Sequence, residues 1–215
     1  MIDTVIFENK AGAKFDADAR GLIMKSHVVS PPKPKVHRFA LDGMDGELDL
    51  TEWTGETRFE PRTVQIGLRD MSSSAYDELI QFVAGRVVKI MFSDDPNYYF
   101  SGRCEGIEKS AQNRVTDIDL TFTCEPYRLA RQATVKKLTV SGAGSITLKS
   151  ARKTVVPTIK STKACRATYA GNTFDLRAAT QSIPVVKITD SAQKLSISNV
   201  SGSATLTITW TDGVL

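Results

Sequence analysis

The residues able to do chemistry are few and scattered in this chain of 215. It has two histidines, His27 and His37, and three cysteines, Cys104, Cys124 and Cys165. No CxxC or Cys/His spacing joins them, so a zinc or thiol-redox centre is not expected, and the odd thiol count reads as reduced, buried small hydrophobes. Two acidic pairs could be imagined as an acid/base or metal site. Asp94-Asp95 precedes Pro96 and reads as turn chemistry. Asp117 and Asp119 share one face of a strand with Arg and Thr neighbours and read as a solvated face. No GxSxG, HExxH, GxGxxG or Walker loop occurs, so neither an enzyme nor a cofactor-dependent protein is expected. What remains are aromatics suited to partner contact: Trp53 in a polar loop, and the adjacent Tyr98 and Tyr99. Trp210 and Tyr169 are the candidate sugar platforms. Trp210 alternates with Leu206 and Ile208, so the core claims it first.

The elements that must position these residues are mostly strands. Val5, Ile6 and Phe7 begin a strand that turns at Ala11-Gly12, and Gly21–Val29 is a second apolar run. Ser30–Lys35, SPPKPK, cannot sit in a central strand, because each proline removes a ladder donor. Phe39–Arg69 reads as turn, strand, exposed loop and long strand. The Asp42-Gly43 and Asp45-Gly46 pairs are strong turn signals. Val64, Ile66 and Leu68 then alternate with Gln65, Gly67 and Arg69, as in a half-buried strand. The spacing of Tyr76, Leu79, Ile80 and Val83 predicts one helix of about three turns over Asp70–Gly85. Ser72, Ser73 and Ser74 are its candidate N-caps, and Gly85 is its stop. Val87–Cys104 reads as a hairpin about Ser93–Asn97. In Asn113–Cys124, Ile118, Leu120, Phe122 and Cys124 alternate with Asp117, Asp119, Thr121 and Thr123.

After a linker at Pro126–Arg131 the composition changes. Residues 1–130 hold 16 Lys and Arg against 21 Asp and Glu, net −5, and residues 131–215 hold 12 against 3, net +9. The second segment is Thr/Ser/Val-rich, with strands expected at Val135–Val140, Ser145–Leu148, Thr154–Ile159, Ala164–Tyr169, Asn172–Leu176, Pro184–Thr189, Lys194–Ser198 and Ala204–Trp210. Short strands at this spacing mean a sandwich or a small barrel. The expected fold is therefore mainly β: a sandwich or barrel domain with one covering helix over 1–130, then a small all-β domain over 131–215, galectin-like or OB-like. No apolar run approaches the ~20 residues of a membrane-spanning helix, so membrane insertion is not expected. The N-terminus has no signal-peptide pattern, which points to synthesis in a cytoplasm.

Several ordered motifs carry a resemblance. ALDGMDGELDLTE, a short loop, and FEPRTVQIGL are similar to the signature of the distal tail protein family of siphophages. The order helix, Gly-Arg, strand, Asp-Asp-Pro, Tyr-Tyr, x-Gly-Arg, and later Cys124-Glu125-Pro126-Tyr127, resembles the same family. The resemblance covers residues 1–130. It implies a virion structural protein of the tail tip, six copies closing into a homo-hexameric ring with the second domains outside. The ring would join the tail tube protein to the tail-tip hub and receptor-binding proteins and leave a channel for DNA. A net-negative first domain suits a channel wall to which phosphates must not adhere. A carbohydrate-binding or adhesion module acting without a ring is the other reading.

Overall fold

The computed structural model describes residues 3–53, 55–71, 75–112, 115–198, 200 and 202–215, with the Gln112 side chain excepted. The expected caps Ser72, Ser73 and Ser74 lie outside the described residues. Chain contacts divide the molecule into two compact units, residues 1–128 with Leu215, and Leu129–Val214.

The first unit is an antiparallel sheet with one helix. Its strands are β1 (Val5–Glu8), β2 (Lys14–Asp16), β3 (Leu22–Val29), β6 (Arg62–Asp70), β7 (Val87–Phe92), β8 (Tyr98–Gln112) and β9 (Val115–Cys124), in the order β2-β1-β7-β8-β9-β6-β3. A separate two-stranded hairpin, β4 (Arg38–Ala40) and β5 (Glu47–Asp49), interrupts this path in sequence. The alternation seen in the sequence becomes burial. Val64, Ile66 and Leu68 of β6 and Ile118, Leu120, Phe122 and Cys124 of β9 are all buried in one core. Asp117 on the opposite face binds Arg69 and Lys25.

The sheet coils over itself. Phe7 of β1 stacks on Phe122 of β9 with centroids 5.7 Å apart, and His27 of β3 stacks on Phe92 of β7 at 4.4 Å, although neither pair of strands is adjacent. Register shifts between Met24 and Ser26 in β3 and between Cys104 and Gly106 in β8 supply the extra twist such coiling needs. At Gly102 the strands approach closely: a Cβ there would lie 2.7 Å from Thr123 O and closer still to Cys124 Sγ.

The helix α1 spans Tyr76–Val83, two turns rather than three. Strand β6 continues through Asp70, whose buried side chain accepts the Ala75 N–H at 2.9 Å. Leu79 and Val83 are buried beneath it, with Tyr76 packed beside them. Gly85 stops the helix at φ +64, a conformation that favours glycine.

In the second unit, β10 (Arg128–Ala130, its first residue still in the first unit) pairs with β19 (Gly213–Val214). The remaining strands form two four-stranded sheets. One has the order β11 (Thr134–Ser141), β18 (Ser203–Trp210), β13 (Thr158–Ser161), β16 (Thr180–Ser182). The other has the order β12 (Gly144–Leu148), β17 (Gln193–Ser198), β14 (Cys165–Tyr169), β15 (Asn172–Leu176). Both contribute to a single core that includes Leu206 and Ile208 from one sheet and Leu195 and Ala167 from the other. Of the two expected architectures this is the sandwich. One expected strand is absent: Pro184–Thr189 makes only a bridge, Val155 to Ile188. Pro184 lacks an N–H, and Val186 N bonds Ile183 O in a local turn. Val186 and Ile188 are nevertheless fully buried, so the apolar pattern marked core rather than strand.

Candidate partner-binding surfaces

The β4–β5 hairpin is an arm without a core of its own. The proline-rich segment forms one side of its stem: Pro34 bridges Phe59, Lys35 N donates to Arg58 O at 2.8 Å, and Glu60 N donates to Lys33 O at 2.8 Å. Beyond the stem the strands register Arg38 with Asp49, Phe39 with Leu48 and Ala40 with Glu47. The Asp-Gly turns close the arm with Gly43 and Gly46 at φ +82 and +90. Arg38 pairs with Asp49 at 3.1 Å. The Thr51 hydroxyl and backbone N–H, then Arg38, hold the Asp49 carboxyl down at about 2. These polar links fix the arm's shape, because burial does not.

The arm's apolar side chains face water. Val36, Phe39, Leu41, Met44 and Leu48 are exposed, and Trp53 is 81% exposed. So many exposed large hydrophobics in one segment mark a surface meant to be covered. His37, Phe39, Leu50, Thr51, Trp53 and Arg58 line a cleft of ≈ 520 Å³ at the arm's base. Sequence reasoning placed Trp53 in an exposed loop but did not find β4, because Phe39 pairs only within the hairpin and carries no core periodicity.

The two tyrosines are elsewhere, at the start of β8. Arg128 lies over the Tyr98 ring at 4.9 Å, and Lys89 lies over the Tyr99 ring at 5.3 Å. Both rings are half-buried, and burial raises the Tyr99 phenol above its ordinary value. Among the described residues no ring contact or hydrogen bond joins either tyrosine to Trp53.

The acidic pair divides its work. Asp94 Oδ2 stands 3.3 Å from His27 Nε2, and Asp95 accepts from Arg128 Nη1 at 2.8 Å. Arg62, which sequence reasoning missed, completes this neighbourhood. Its signal was its phase: it precedes Val64, Ile66 and Leu68 on the inward side of β6. All three cysteines are free and buried. Burial pushes the thiols of Cys104 and Cys124 up to about 11 and about 12. Among the described residues no group of three or more His, Cys, Asp or Glu is placed to hold a metal ion.

Neither candidate sugar platform in the second unit is exposed, and Trp210 takes the core position that its alternation implied. Trp210 is buried and donates Nε1–H to Asp212 Oδ1 at 3.0 Å. Tyr169 is buried, and its hydroxyl donates to Lys187 O at 2.7 Å.

No protein-family model matches the chain, and no curated protein matches it by sequence. Solved structures do. The chain is similar to the Dit protein (gp 19.1) of phage SPP1, described as a paradigm of the hub adsorption apparatus in phages infecting Gram-positive hosts. The TM-score is 0.68 at 13% identity, with 100% of both chains covered. It is also similar to a chain of the phage P2 baseplate in its activated conformation with Ca, at a TM-score of 0.51 and 7% identity over 97% of this chain and 98% of that one. The Sr form of that baseplate gives 0.50 at 7% identity over 98% of each chain. The chain shares its fold with that SPP1 protein over the whole length of both chains.

Proposed function

We propose that this chain is a non-catalytic distal tail protein that closes, as six copies, into a ring at the tip of a siphophage tail. The observation that carries the reading is the end-to-end correspondence with the SPP1 Dit protein, both units included, at 13% identity. The exposed arm supports it. A closed ring needs two different patches per subunit, one meeting the other on the next copy. The arm, with its exposed apolar residues and strand backbone, is suited to be one of them. Trp53 is its anchor; burying one such aromatic contributes on the order of 2 kcal/mol.

The ring's two faces then receive the tail tube protein on one side and the tail-tip hub on the other, with receptor-binding proteins attached to the tip. Tyr98 and Tyr99 are the contacts we assign outside the arm. The net-negative first unit lines the lumen and keeps passing DNA from adhering. Size-exclusion chromatography with light scattering tests the arm's role. The full chain is expected to elute with the mass of a hexamer or of paired hexamers, and a chain with the arm replaced by a short Gly-Ser link as a folded monomer. Equal masses for the two would sink the assignment of the arm.

A further inference from the structure

Arg62 is only 5% exposed, and its Nε and Nη2 atoms are buried without a hydrogen-bond partner among the described residues. Those two atoms form the edge of a guanidinium that grips a carboxylate with parallel N–H bonds. Arg69, on the same strand, shows that edge filled: its Nε and Nη2 donate to Asp117 Oδ1 and Oδ2 at 2.7 and 3.0 Å. A buried cation lacking its counter-ion is costly, and the Phe100 ring 5.6 Å away compensates only part of the loss. A second cation stands close by. Arg128 is held by Asp95 through Nη1, while its Nε is likewise buried and unpartnered. Burial and then the neighbouring Arg128 lower the Arg62 guanidinium below its ordinary value, and of the two arginines it is Arg62 whose paired edge faces no anion.

Both arginines line a cavity of ≈ 360 Å³ together with His27, Phe92, Phe100, Asp94, Asp95 and Leu215. We propose that this cavity is a carboxylate-binding site, taking an anionic head on a short apolar stem. The Arg62 edge holds the head, Arg128 supplies the second positive charge, and Phe92 and Phe100 accept the stem. Asp94 and Asp95 on the wall select a monoanion over a phosphate dianion, because each added negative charge is repelled by them. The carboxylate comes either from a free organic acid or from an acidic side chain of a second copy; the recognition chemistry is the same.

Calorimetric titration of the full chain with butanoate, at an ionic strength held constant with chloride, tests the site. Saturable binding of one butanoate per chain is expected. Arg62→Lys keeps the charge but loses the paired edge, and is expected to weaken binding about tenfold. Asp94→Asn is expected to tighten it, and decides the matter if the Arg62 variant does not fold. Affinity that rises as the protein is diluted assigns the natural carboxylate to a second copy, and affinity independent of dilution assigns it to a free acid; either upholds the site. No saturable heat in the wild type, or wild-type affinity in both variants, overturns it. Neither result bears on ring formation.

Discussion

At the residue scale, close approach governs what can change. Gly102 pairs with Cys124 on one side and Val88 on the other, and has no room for a side chain. Gly102→Ala is expected to destabilise the first unit by about 1–3 kcal/mol, read as a lower urea midpoint with an unchanged slope. In the second unit Asp212 ties separate segments together. It accepts from Thr134 Oγ1, Ser150 Oγ, the Ala151 N–H and Trp210 Nε1. Burial raises its carboxyl, but those hydrogen bonds together outweigh it and leave it below the ordinary 3.8. A carboxyl depressed in the folded state stabilises above its unfolded pKa and loses that contribution as pH falls through its folded one. The second unit is therefore expected to lose stability as pH drops below 3.8, and Asp212→Asn to flatten that fall in acid-unfolding curves. Cys104 and Cys124 are buried with raised thiols, so native protein is expected to react with a thiol reagent at those two positions only as fast as it unfolds.

At the element scale, legibility followed burial. Strand β9 could be read residue by residue, because Ile118, Leu120, Phe122 and Cys124 face a core and their neighbours face water. The same rule explains the failures. Asp70 was expected at the head of the helix, but it is buried as the end of β6, a tertiary role that no propensity encodes. Pro184–Thr189 looked like a strand because Val186 and Ile188 are core residues, the first held by a local turn and the second by a single bridge. The arm's first strand was invisible because neither of its faces is buried. The carboxylate cavity was illegible for a different reason: β3, β6 and β7 bring its walls together only through the coiling of the sheet. Arg62 alone, inward-phased with Val64, Ile66 and Leu68, could have announced it. Because the arm has no core, altering it should not disturb the fold. Trp53→Ala is expected to leave the melting temperature of the dissociated chain within the equivalent of about 0.5 kcal/mol, while measurably lowering the assembled mass at the same protein concentration. A large loss of stability on this change would place Trp53 in the fold rather than at an interface.

At the scale of the whole molecule, the chain offers extended sheets, an exposed apolar arm and few reactive groups, a combination suited to repetition about an axis. Its charge is divided between segments, net −5 over residues 1–130 and net +9 over 131–215. Interfaces of rim charges are sensitive to salt, whereas a buried aromatic anchor is not. Assembly through the arm is therefore expected to survive moderate salt. The most direct measurement is electron microscopy of the purified full chain at concentrations well above those of the light-scattering experiment. Closed rings with sixfold symmetry and an open lumen are the expected result; separate single chains, or open filaments with no closed form, would contradict it.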